Sequence, residues 1–89
     1  MANKRDLKKD INYVLGDIIE AVYVWQYTNS DKDPKASEAI IDEAIVTFDE
    51  LIEKVNDRKV DNKKAHFKAI NTELEEKGRA LIEKINNLG

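Results

Sequence analysis

Apolar residues return at spacings of three and four along most of this chain, the period of one face of an α-helix. In a first stretch Leu7, Ile11, Val14, Leu15, Ile18, Val22 and Trp25 fall on one side. In a second the set is Ile41, Ala44, Ile45, Phe48, Leu51, Ile52 and Val55. In a third it is Phe67, Ile70, Leu74, Leu81, Ile85 and Leu88. No alternating strand pattern competes over a comparable length. The two breaks between these stretches are polar. TNSDKDP, residues 28–34, holds the only proline, and Asp33 followed by Pro34 reads as a helix start. The carboxylate accepts from free backbone N–H groups, and proline has no N–H to leave unpaired. NDRKVDN, residues 56–62, offers Asp61 or Asn62 as the cap of the third helix.

The pattern predicts helices over about 4–28, 34–57 and 62–87, each roughly 36–39 Å long at 1.5 Å per residue. Links this short turn each helix back along the last. The fold class is therefore all-α: an up-down-up antiparallel three-helix bundle forming a single domain. Glu50–Lys54, Glu73–Lys77 and Glu75–Arg79 each set an acid four residues before a base, the favourable order within one helix. Gly78 falls on the inward face of the third helix and suits close approach opposite a bulky group such as Trp25 or Phe48. Gly16 falls on the outer face of the first, where glycine costs about 1 kcal/mol against alanine and the fold gives no reason for it.

One stretch is greasier than a bundle needs. AVYVWQY, residues 21–27, is apolar or aromatic at six of seven positions in a chain that is 37% charged. At about 100° per residue Val22 and Trp25 point inward, while Val24, Tyr27 and Tyr13 point outward and Tyr23 flanks them. Tyr13, Gly16, Tyr23, Val24 and Tyr27 are the candidate interface, interrupted by Glu20. Glycine there lets another backbone or ring come close. Tyrosine buries much area with few rotatable bonds and keeps a polar handle, as interfaces favour. Ala39 and Val46 give the second helix a weaker outward stripe. The competing reading is the ordinary scatter of exposed aromatics on any surface.

Composition narrows the class. With 89 residues and 42% hydrophobic content the chain can bury a core, and it is too apolar for a disordered tail. A domain this size buries only about 60–65% of the surface of its unfolded chain, so its margin is small and a partner or second copy is a natural cover for spare apolar surface. There are no cysteines, hence no disulfide and no thiolate metal site. MANKRDLKKD lacks the apolar core of a signal peptide, and no apolar run approaches about 20 residues. The expected localisation is cytoplasmic, with no membrane partner.

The net charge of −3 hides an asymmetry. Residues 1–53 carry six bases and twelve acids, whereas residues 54–89 carry nine bases and six acids. An antiparallel bundle gathers the start of the first helix, the end of the second and the start of the third at one pole. Lys4, Arg5, Lys8, Lys9, Lys54, Arg58, Lys59, Lys63 and Lys64 collect there. Lysines in the first turns of two helices oppose the helix dipole, which hints at a bound anion such as phosphate or a nucleic-acid backbone. Asp6, Asp10, Asp57 and Asp61 dilute that pole, and no aromatic is interleaved for base stacking. A solvated end of mixed charge is the plainer account, and nucleic acid is the lesser candidate partner.

Catalytic signatures are missing. The single histidine, His66, lies at the edge of the third apolar stripe and reads as a half-packed boundary residue. No HExxH, Glu-x-x-His, P-loop or Gly-rich dinucleotide turn occurs. Ser30 and Ser37 have no base near them in sequence, and Ser37 occupies a core-facing position. No catalytic residue, cofactor or metal is expected. The opening KRDLKKDINYVL, with the all-helical remainder, resembles uncharacterised small all-helical proteins of bacteria; the resemblance lies mainly in the first helix. It implies a compact cytosolic bundle and gives no residue a role. The residues thus point to a non-enzymatic helical protein that acts through association, as a homo-oligomer or with a helical protein partner, using the outer face of its first helix. The alternative is anion binding at the basic pole.

Overall fold

The three apolar stripes fold as α1 (Lys4–Thr28), α2 (Lys35–Asn56) and α3 (Lys63–Asn86) in a computed structural model that describes residues 4–88. The observed ends lie within a residue of the expected ones. α1 has no basic residue in its last turn. Side-chain donors cover its final carbonyls instead: Thr28 Oγ1 donates to Val24 O at 3.1 Å, and Asn29 Nδ2 to Trp25 O at 2.9 Å. At the start of α2, Asp33 Oδ1 accepts from the Lys35 N–H at 3.0 Å. Asn62, rather than Asp61, caps α3 by accepting from the Ala65 N–H at 3.1 Å.

Leu7, Ile11, Leu15, Ile18 and Val22 of α1 close on Ile40, Ala44, Leu51 and Val55 of α2 and Ile70, Leu74 and Leu81 of α3. Register between α1 and α2 is marked by Gln26, whose Nε2 donates to Ser37 Oγ at 2.9 Å. Ser37 is fully buried and its hydroxyl donates onward to Pro34 O at 2.8 Å. Buried Thr47 donates to Glu43 O in the same way. Among the described residues no buried side-chain nitrogen or oxygen lacks a partner, as a small core demands.

Register between α2 and α3 is marked by three ion pairs. Lys54 Nζ lies 2.8 Å from the Glu73 carboxylate, Lys77 Nζ lies 3.6 Å from Glu50, and Lys84 pairs with Glu43. Each step forward along α2 is matched by an equal step back along α3, as antiparallel helices require. Four of these side chains were expected to pair within their own helices, as Glu50–Lys54 and Glu73–Lys77. They pair across the seam instead, because both helices turn these positions toward each other.

Other expectations shift as well. The buried face of α2 is rotated: Ile40 and Thr47 are inside, whereas Ile45 is 46% exposed. Trp25 and Phe48 are half-buried rather than in the core: Phe48 packs against its edge, and Trp25 lies by the link between α1 and α2 with Asn29 and Pro34. Gly78 is buried on the inward face, but its neighbours are aliphatic. A Cβ placed there would lie 3.2 Å from Val14 Cγ1 and 3.8 Å from Ile18 Cδ1 of α1. Gly78 is therefore level with the stretch between Val14 and Ile18. Asp6 and Leu7 lie with Lys63 and Lys64, and Tyr13 and Val14 with Leu74 and Gly78, so α1 and α3 run parallel. Among the described residues no helix is long and apolar enough to cross a membrane.

Candidate functional site

Four of the seven large apolar residues that stay exposed among the described residues belong to α1: Tyr13, Tyr23, Val24 and Tyr27. Each exposes more than half its surface, and Tyr27 reaches 87%. Gly16 lies among them with no atom within 4 Å of an added Cβ, so its surface is open. The outward set expected from the helical period is thus outward in the structure, and the apolar residues are not drawn into the core from the flanks.

Four members of the set divide into two stripes, with Tyr27 between them. Gly16 and Tyr23 continue the line of Ile19 and Gln26, the side that meets α2. Tyr13 and Val24 continue the line of Asp10 and Asp17, the side that meets α3. Here the surface dips into a groove between α1 and α3. Val14, Leu74 and Gly78 form its floor, and Tyr13 and Ile82 stand on its rims with Asp10, Glu75 and Arg79. Ile82 is 49% exposed. The sequence reading missed it, although a signal was present: Leu81 and Ile82 are adjacent, 100° apart on the helix, and only one of them can face the core centre. Lys9 Nζ lies 5.8 Å from the Tyr13 ring centroid, a contact suited to a wet surface.

At the expected basic pole the start of α3 lies against the start of α1 and the end of α2. His66 Nε2 is 2.7 Å from Lys54 O at the end of α2. A carbonyl only accepts, so Nε2 carries the hydrogen, and His66 tethers α3 to the last turn of α2. The bases do not converge on one spot. Lys63, Lys64 and Lys68 share the lower end of the α1–α3 groove with Asp6 and Asp10. Lys54, Arg58 and Lys59 share a shallow hollow with Glu50, Glu53 and Asp57. Lys4, Arg5, Lys8 and Lys9 line neither. Asp57 Oδ1 is engaged by the Lys59 N–H at 3.0 Å, and the start of α3 is capped by Asn62. Among the described residues no three or more His, Cys, Asp or Glu side chains converge as metal ligands.

Among known proteins no family model matches the chain, no curated protein matches it, and no solved structure matches it. What the site can do is accordingly argued from its geometry.

Proposed function

We propose that this protein acts by association with another helical chain, a second copy of itself foremost, through the outward face of α1. One observation carries the reading: Tyr13, Tyr23, Val24 and Tyr27 stand exposed on a single helix whose inward face already fills its share of the core. Aromatic residues left largely exposed on one helix are what an interface needs, because they bury large area at low entropic cost. The anion alternative lacks support of this kind, since each group of lysines at the pole shares its hollow with carboxylates.

Sedimentation equilibrium over a range of concentrations tests the reading, with the triple variant Tyr13→Ser, Val24→Ser, Tyr27→Ser as control. The expected result is a concentration-dependent dimer that the variant abolishes while its helicity and melting temperature stay near those of the parent. All three side chains are exposed, so the fold loses little with them. A parent chain that stays monomeric at millimolar concentration overturns self-association.

A further inference from the structure

The charges beside the α1–α3 groove are segregated by helix. On the α1 side stand Asp6, Asp10 and Asp17, with Lys9, over the Tyr13 ring, the one base. On the α3 side stand Lys64, Lys68 and Arg79, with Glu75 the one acid. Asp17 is exposed and lies two turns beyond Asp10 on the same stripe. Arg79 lines the groove directly. Gly78 is level with the stretch between Val14 and Ile18. One residue on, Asp17 is level with Arg79; ten residues back, Asp6 is level with Lys68.

From this segregation we infer that the partner on the α1–α3 face is a second copy in parallel orientation, with α1 of each copy lying over α3 of the other. The inference rests on the reading that the protein self-associates through α1, and it specifies which side of α1 is used and how the copies are arranged. Two identical faces meet about a twofold axis that runs either across the helices or along them. An axis across the helices stacks α1 on α1 and α3 on α3. Acid then faces acid and base faces base along the whole contact, which is destabilising. An axis along the helices stacks α1 on α3, so the acidic edge meets the basic edge twice. Levels are preserved in that arrangement. Asp17 meets Arg79 of the second copy, Asp6 meets its Lys68, and the odd acid, Glu75, meets the phenol of its Tyr13.

The apolar centre fits the same arrangement. Tyr13 and Ile82 occupy opposite rims of the groove, so each Tyr13 ring comes against the α3 rim of the other copy, beside the hollow over Gly78. A standard interface takes about 800 Å² from each partner. A molecule whose principal extents are 50 × 20 × 18 Å offers that area on one long face.

Charge swapping tests the arrangement. Asp17→Lys and Arg79→Glu are made separately, and dimerisation is measured by sedimentation equilibrium for each alone and for an equimolar mixture. Each single variant sets like charges opposite each other twice, so its dimer is expected to be at least about tenfold weaker than the parent's. In the mixture the introduced lysine of one chain meets the introduced glutamate of the other. The second contact of that heterodimer keeps the original Arg79 against the original Asp17, so a heterodimer of near-parental strength is expected. Circular dichroism checks that both variants keep the helical content of the parent. A dimeric parent whose single variants dimerise as it does, or whose mixture is not rescued, overturns the parallel arrangement and leaves self-association through α1 standing. A monomeric parent overturns both.

Discussion

α3 has a groove on each side, and the two are built differently. Toward α2 the seam is closed by Lys54–Glu73, Glu50–Lys77 and Glu43–Lys84, and His66 ties its end to Lys54 O. Two of these pairs set the acid on α2 and one sets it on α3, and in all three acid and base find each other within the chain. Toward α1 none of those pairs crosses the groove. Its floor is Val14, Leu74 and Gly78, its rims carry Tyr13 and Ile82, and its charges are sorted with acids on α1 and bases chiefly on α3. Pairs closed across a seam fix the register of a fold with itself. Segregation leaves two complementary edges that a second chain can read. The difference teaches where the molecule is finished and where it is not.

The strongest way to disturb this contrast is at the groove floor. Gly78→Leu puts a branched side chain where even a Cβ would lie 3.2 Å from Val14 Cγ1. Overpacking of this kind costs about 1–3 kcal/mol. Thermal unfolding should show a melting temperature lower by several degrees for each kcal/mol lost in a chain of this length. Unchanged melting would mean that α1 and α3 do not approach closely at this level.

On the closed side the largest single effect is expected at His66. His66→Phe keeps a ring beside Phe67, whose centroid is 5.9 Å away, and removes the donor to Lys54 O. Lys54 O then keeps the longer bond from the Asp57 N–H at 3.3 Å. A loss of about 1 kcal/mol follows. Urea denaturation measures it, and a variant as stable as the parent would make the tether idle.

How much of this was legible in the sequence depends on the kind of signal. Helical period alone placed the three helices, and Ser37 could be assigned to a core-facing position because its place in the stripe does not depend on its chemistry. The faces of α2 were harder. Ile45 shares a period with Ala44 and Phe48, yet two partners decide the buried direction, and with α1 and α3 both in place it turns toward Ile40 and Thr47. Ion pairing was harder again. Glu50 has a lysine four residues on in its own helix and another across the seam in α3, and only the register between helices decides between them. The partner of Gly78 had the same character: the glycine announced a close approach, but Val14 and Ile18 could be named only once α1 and α3 were aligned. The outward set on α1 was legible because period excludes residues from the core as surely as it admits them. Its division between the α2 side and the α3 side was not, since the handedness of the bundle sets it.

A smaller effect, opposite in sign, separates the two stripes of α1. Gly16 lies on the α2 side with open space around it, so Gly16→Ala should stabilise the chain by about 0.5–1 kcal/mol through helix propensity. Because it faces away from the α1–α3 groove, self-association should not change. Melting and sedimentation on the same sample check both parts. A variant that melts higher yet dimerises poorly would move the contact to the Gly16–Tyr23 stripe.

The smallest effect tests the closed seam itself. A double-mutant cycle of Lys54→Met and Glu73→Gln isolates the coupling of one cross-seam pair. Both side chains remain partly exposed, at 47% and 28%, so water and salt screen them. The coupling should be only about 0.3–1 kcal/mol and should fall as salt is added. The informative control is the same cycle on Lys54 and Glu50, which sit one turn apart in α2 and pair instead with Glu73 and Lys77 of α3. Its coupling should be smaller, because the lysine ammonium is already committed across the seam. If the control cycle carried the coupling and Lys54–Glu73 carried none, charge on α2 would serve that helix alone. The contrast between a seam closed by ion pairs and a groove whose charges are sorted by helix would then lose its closed half.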